Sequence, residues 1–468
     1  MSKLDAFELF PAPSHLYKGG LLPPRFWPGQ TPASIATLRQ ILKDNHEKWH
    51  IYFNTRGFHN HAAHTVIALW ALGANEEILS AAYRYASSYL LPSFESPCSI
   101  NEGNWKTHLG DEKYYQAYIS FFTEEVKAKG INAVLEEYVF ATSANYVLGH
   151  TEQPQMLGRL LDGVVHPLIH VGYGVEFGLP GMVIEGLAWA AVHQGLSSVL
   201  VPQTLFSEPA SEKKVHPTHA FTVLERVISD PRLAGPFNDA DPHDVTNKCG
   251  QVIKEYVDQW QPEGGVAKHV EELLWVNSLI YGVGGLGECE KFNADFFYMH
   301  LVTSSIFLPS LCARLTEQSQ SLFLRSYFLV CLSLYVWRGR PALDIARFFA
   351  NDTTLHPADD STPHAEGLAS SSPSGVTPNP WLSVIQTSLV HPDEHVPKLQ
   401  RALCHLAELF GGTPAGYFKN TELKDAEVID GTLFVRTAIL SAKRTGGGNG
   451  EVPSRDVWDR RGFYQSKA

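Results

Sequence analysis

Along most of the chain, apolar residues recur at the three- and four-residue steps of an α-helix, not at the two-residue step of a strand. Across 112–130, Tyr115, Tyr118, Phe122 and Val126 share a face, and Gly130 is placed to end the helix. Across 396–412, Leu399, Leu403, Leu406 and Phe410 do the same before Gly411-Gly412. Residues 163–201 carry only two charges, Glu176 and Glu185, and read as buried helices interrupted near Gly178, Pro180 and Gly181. Strand patterns are scarce; LIYGV at 279–283 and GTLFVRT at 431–437 are the better candidates. The longest apolar run, Tyr327 to Trp337, is too short to cross a bilayer and follows Arg325. The pattern predicts a mainly α protein, one large multi-helical domain over 33–445 with long surface loops. Residues 1–32 become Pro/Gly-rich from residue 11 and predict an extended arm over the surface. Residues 352–381, containing SSSPSG, predict a surface loop insertion. GGGNG opens a tail over 446–468 that holds Trp458, Arg461, Phe463 and Tyr464.

Composition narrows the function classes. With 468 residues, 44% hydrophobic and 18% charged, the chain can bury a substantial core. A net charge of −12 with no basic cluster argues against nucleic-acid binding, which needs Lys and Arg to displace phosphate counterions. The start, MSKLDAFELF, places acids where a leader needs apolar residues, so the expectation is a soluble cytoplasmic protein with no membrane partner. Six cysteines without a CxxC pair argue against a disulfide framework, a zinc finger or an iron–sulfur cluster. Gly282, Gly284 and Gly287 spell GxGxxG, but no acid follows at the distance a dinucleotide fold requires, so the segment reads as a glycine-rich turn between helices. No motif supports NADPH binding, although NADPH remains compatible as a reductant of substrate or metal.

The outlier is 21 histidines, several inside strongly apolar segments. FHNHAAHTVIALWALGA (58–74) holds His59, His61 and His64. At 100° per residue His61 and His64 share a helix face, and His59 points elsewhere. In HPLIHVGYGVEF (166–177), Pro167 suits a first helical position, with His166 at the cap and His170 one turn in. In DFFYMHLVTSSIFLP (295–309), His300 stands among apolar and aromatic residues with no charged side chain for several positions either side. In HPDEHVPKLQRAL (391–403), Pro397 is expected to start a helix, placing His395 just before it and Lys398 in its first turn, where the helix dipole repels an ammonium. One imidazole on an apolar face is commonly a core residue bonded to a carbonyl. Burying this many without a common partner carries a cost at each, and a metal ion satisfies several at once. Imidazole-rich ligation without thiolate suits Fe, Cu, Ni or Zn.

These four segments, with EGLAWAAVH after the second, resemble the questin oxidase family, a fungal polyketide-pathway group that includes Baeyer–Villiger-type oxidases of aflatoxin, anthraquinone and xanthone biosynthesis. The match runs from about residue 50 to about residue 410. The resemblance implies a non-haem Fe(II) oxygenase that opens a ring of a small aromatic polyketide of anthraquinone type, with O2 as co-substrate. It also implies a metal held by four histidines and an N-carboxylated lysine. Carried over, the lysine is Lys398, and the expected histidines are His64, His170, His300 and His395, one per segment. His61 and His166 stand in reserve, and His59 is a supporting residue. Tyr173, Phe177, Trp189, Phe296 and Phe297 lie near the motifs and are expected to hold a flat substrate. Glu176 and Glu185 lie in apolar surroundings expected to raise their pKa, as acid or base or as acceptors for a ligand histidine; the plainer expectation pairs them with a helix end or an arginine such as Arg340. Two rival functions remain: a metal-dependent hydrolase with Asp393 and Glu394 among its ligands, and a non-catalytic helical protein that binds a pigment.

Overall fold

The computed structural model describes residues 7–13, 26–149, 152–196, 199–207, 217–235, 237, 240–261, 264–286, 291–351, 353, 379–446 and 457–464. Among them the chain forms seventeen α-helices, and its strand pairing is confined to isolated bridges, as the mainly α expectation requires. They are α1 (Pro32–Lys48), α2 (Ala62–Ala71), α3 (Glu76–Ser87), α4 (Tyr115–Lys129), α5 (Ile131–Leu135), α6 (Met156–Phe177), α7 (Pro180–Val192), α8 (Ala220–Ser229) and α9 (Pro242–Val257). There follow α10 (Gly265–Gly285), α11 (Phe296–Ser305), α12 (Leu308–Cys312), α13 (Glu317–Trp337), α14 (Ile345–Ala350), α15 (Pro380–Leu389), α16 (His395–Phe410) and α17 (Thr432–Arg444).

Sequence chemistry sets many of the boundaries. Thr31 and Ser34 form a reciprocal cap on α1, with Pro32 at its first turn. Asp295 accepts from the amides of Phe297 and Tyr298 and so starts α11. Gly130 ends α4 and Gly178, at φ 67°, ends α6, both where expected. All ten residues of α2, and every residue of α7 after Pro180, are buried. A helix apolar on all sides belongs inside, and these two form the centre with α6. α6 packs lengthwise on α7, α11 lies against α6, and α16 lies against α2 and α11, so the four histidine segments converge.

Several expectations change. Residues 279–283 lie in α10 and 433–437 in α17, so neither strand candidate forms: a short apolar run carries no clear period, and burial on every side suits a helix. Gly282 and Gly284 lie within α10, not in a turn; Gly282 lets α17 approach at Thr437, while Gly287 falls outside the described residues. The run before Trp337 belongs to the 21-residue α13, long and apolar enough by length and composition to cross a membrane; its core face packs against α9 and α10. The arm is partly anchored, since Phe10 is 1% exposed and the Trp27 amide donates to the Ala71 carbonyl at 2.9 Å. The loop over 352–381 lies mostly outside the described residues, and its end, Pro380-Trp381, is helical. Finally, α16 starts at His395, two residues before Pro397, because the Asp393 carboxylate accepts the His395 amide at 2.8 Å.

Candidate metal centre

Four imidazoles from four segments close a ring. The His61 and His166 ring centroids are 4.8 Å apart, His166 and His300 4.7 Å, His300 and His395 5.3 Å, and His395 and His61 4.9 Å. Each is held at Nδ1 or lies near an acceptor there. His61 Nδ1 bonds Glu394 Oε1 at 2.6 Å, His166 Nδ1 the Gly163 carbonyl at 2.5 Å and His300 Nδ1 the Phe296 carbonyl at 2.7 Å. His395 Nδ1 lies 3.3 Å from Asp393 Oδ1. The Nε2 atoms of all four are buried without a hydrogen-bond partner among the described residues. Anchored at Nδ1 and unsatisfied at Nε2 is the state of an imidazole that ligates a metal, because the second bond fixes tautomer and ring direction. Burial holds His61, His166 and His300 well below the usual imidazole pKa, so each presents a lone pair. The donor set therefore fits a borderline transition metal.

Lys398, one turn into α16, is 4% exposed, and burial pulls its pKa down to about 8 against the opposing pull of Glu394 and Asp393. Its charge is felt at His61, His64, His166 and His300. His59 sits beside the ring, 4.2 Å from His166 between centroids.

The expected ligands His64 and His170 are not part of this ring. His64 Nε2 meets His170 Nδ1 at 2.9 Å, His170 Nε2 meets Glu185 Oε2 at 2.7 Å, and Glu185 Oε1 meets His46 Nδ1 at 2.6 Å. Their side chains thus join a buried relay ending at α1, with His64 Nδ1 left without a partner among the described residues, and the reserve residues His61 and His166 take the two places in the ring. The expected rise in the pKa of Glu185 is reversed. Desolvation raises it, but the bonds to His170 and His46 prevail and hold it at about 2. Glu176 does pair with an arginine, but with Arg401; Arg340 instead donates to the carbonyls of Val227 and Asp230 at 2.7 Å. Burial still raises the Glu176 pKa. Glu394 bonds His61 and, at 3.0 Å, the Tyr89 hydroxyl, while Asp393 accepts Trp458 Nε1 at 2.9 Å and the His395 amide at 2.8 Å, so one carboxylate braces an imidazole and the other a backbone.

Of the expected aromatic wall, Tyr173 and Phe177 pack into the core with Phe307 and Trp70. Trp189 sits among the histidines, 4.8 Å from His59. Phe296 lies against His300 and His395, at 4.8 and 5.1 Å between centroids. Phe297 faces a cavity of about 310 Å³ whose lining includes Asp162, Gly163, Val164, His193, Leu196 and Trp337. One side is a kink inside α6, where Gly163, Val164 and Val165 take φ of 56°, 55° and 57°. Left-handed backbone at two valines is strained, and such strain gathers at functional sites. The kink restarts the helix at His166 and turns the Gly163 carbonyl onto its Nδ1. Sequence reasoning passed over His46, His193 and Arg401; only His193, which closes the apolar EGLAWAAVH, carried a signal.

Residues 58–403, well over half of the chain, match the model of a family described as questin oxidase-like. The chain is 25% identical over 442 residues to the Baeyer-Villiger oxidase ptaJ of Pestalotiopsis fici, covering 91% of this chain and 90% of that protein. It is 28% identical over 384 residues to the oxidoreductase AflY of Aspergillus parasiticus, covering 78% and 71%. It is 25% identical over 387 residues to the questin oxidase of Aspergillus terreus, covering 79% and 80%.

Proposed function

This chain belongs to the questin oxidase-like family, and on that footing we propose that it is an oxidoreductase cleaving a ring C–C bond of an anthraquinone-type polyketide. One non-haem iron(II) would be held by His61, His166, His300, His395 and an N-carboxylated Lys398, with O2 as co-substrate. The names of the relatives support the oxidative, Baeyer–Villiger-like outcome. The observation that carries the metal assignment is the set of four neighbouring imidazoles whose buried Nε2 atoms lack partners among the described residues, three of them fixed at Nδ1.

Bound iron would supply the binding and reduction of O2. The chain's own residues do the rest. Glu394, the Gly163 carbonyl and the Phe296 carbonyl fix His61, His166 and His300 at Nδ1, and burial keeps those three rings neutral. With its pKa near 8, about a tenth of Lys398 is neutral at pH 7. That amine adds CO2 and releases one proton to give a carbamate, the single anion of the donor set. Apolar packing by Phe296 on one side excludes water from the ring. The substrate lies in the adjoining cavity, against Phe297 and Trp337.

Elemental analysis of protein purified without added metal tests this. About one iron per chain is expected, lost in His166→Ala and in Lys398→Ala and kept in His64→Ala, with oxygen uptake on adding a hydroxyanthraquinone. Zinc in place of iron, with turnover surviving under nitrogen, would overturn it in favour of a hydrolase.

A further inference from the structure

The cavity wall holds a titratable pair that the metal chemistry leaves unused. His193 directly follows α7 and lines the cavity with Asp162. Its Nδ1 lies 3.2 Å from the Gln194 carbonyl oxygen and 3.6 Å from Asp162 Oδ2. The Gln194 carbonyl can only accept, so in the neutral ring it favours the proton on Nδ1 and leaves the lone pair on Nε2. Nε2 faces His59 Nε2 at 3.4 Å, longer than an ordinary hydrogen bond and open to exchange for a better donor. The two side chains are 13% and 12% exposed and both residues line the cavity. The remaining charged or titratable neighbours are Tyr52, Arg159, which donates to the His193 carbonyl, and Asp241 and His243 across the cavity.

The rest of the wall is mainly apolar, with Phe297 and Trp337 opposite Leu161 and Leu196. A volume of about 310 Å³ suits one flat multi-ring molecule. Two aspartates on the wall accept hydroxyl donors and repel a carboxylate. We propose that His193, with its Nδ1 on the Gln194 carbonyl and Asp162 3.6 Å away, is the base that takes a phenolic proton from the aromatic substrate in this cavity. The proposal rests on the oxygenase assignment above. In the step the O–H bond breaks, its electron pair stays on oxygen and an N–H bond forms at His193 Nε2; no electrons change hands. The products are a phenolate and an imidazolium whose counter-charge is Asp162. A phenolate ring is richer in electrons and more open to oxidation, while a ring-opened carboxylic acid meets two like charges and is expelled.

The test uses a monohydroxyanthraquinone, whose visible band moves to the red on ionisation, mixed with the full chain under nitrogen so that no turnover occurs. At a pH below the ionisation of the free probe, the wild type is expected to show the red-shifted band together with quenching of tryptophan fluorescence that a Trp337→Phe variant lacks. His193→Gln should bind within about threefold yet show the neutral band, Asp162→Asn should lie between, and turnover in air should fall about 10²-fold in kcat for His193→Gln, the scale of a lost general base. A His193→Gln complex that keeps the red-shifted band overturns the proposal. So does binding that survives Ser333→Trp, which fills the cavity. Binding in the cavity without ionisation defeats the base alone; no binding by the wild type defeats the substrate assignment with it.

Discussion

Glu185 keeps its charge at 2% exposure, where burial alone would neutralise it. Its two oxygens each meet an imidazole, one of them from α1, 139 positions earlier in the chain. The apolar neighbours of Glu185 were legible in the sequence and pointed to a raised pKa, whereas the partner that reverses the sign was not. A carboxylate lowered from 4.5 to about 2 contributes stability above pH 4.5 that is lost as pH falls towards 2. His46, whose burial works against its charge, is raised by Glu185, so its share is lost as pH rises through that higher value. Glu185→Gln is therefore expected to cost on the order of 3 kcal/mol at pH 5–6. The gap in urea midpoints should narrow by about half between pH 6 and pH 3 and close only near pH 2 and below; a constant gap would mean that the charge is not what stabilises. The same limit applied to the histidines. Each of the first two segments offered a pair three or four residues apart, and helical geometry brings both members to one face. The choice lay with distant acceptors: Glu394 claims His61, and Glu185 claims His170.

At the scale of elements, α6 and α7 approach closely because glycines face backbone in both directions. A Cβ on Gly174 would lie 2.6 Å from the Val183 amide nitrogen, and one on Gly186 would lie 2.8 Å from that of Val171. That approach places Glu185 against His170 and keeps His166 in the ring. Gly186→Ala forces the helices apart and is expected to cost about 1–3 kcal/mol, the usual range for overpacking. A clear drop in melting temperature relative to Gly412→Ala, whose Cβ meets nothing within 4 Å, is the expected reading; equal melting would show that the contact relaxes freely. Helix ends marked by glycine were legible beforehand, as at Gly130 and Gly178. The start of α16 was not, because Pro397 is acceptable within a first turn and the Asp393 side chain accepts the amide of the first residue, His395. The kink at Asp162–Val165 was also hidden. Nothing in GVVH announces left-handed valines, and only the demand for a carbonyl at His166 Nδ1 accounts for them.

Across the whole molecule the centre is closed by the last described stretch of chain. Residues 457–464 were legible as a tail carrying aromatics, but where it docks depends on contacts from three other segments. Asp459 exchanges backbone bonds with Ala294 and Phe296 at 2.9 Å, which fixes the entry to α11. Phe463 stacks on Tyr298 with ring centroids 5.4 Å apart, and Arg460 lies over Phe296 at 4.5 Å, on the residue that packs against His300 and His395. Trp458 then donates to Asp393 at 2.9 Å, and Asp393 in turn fixes the backbone of His395. The tail therefore reaches the candidate metal site through Asp393 and through Phe296. Trp458→Phe keeps most of the apolar contact and removes only the donor, which frees Asp393 to rotate. Its expected effect is a loss of metal affinity of about 10–100-fold, the scale seen when a group bracing a ligand is removed, with a change in stability below about 1 kcal/mol. Chelator competition followed by metal analysis measures the first and a urea midpoint the second. Unchanged affinity would mean that Asp393 is held without Trp458. A large fall in stability with affinity intact would assign the tail to folding instead of to the centre.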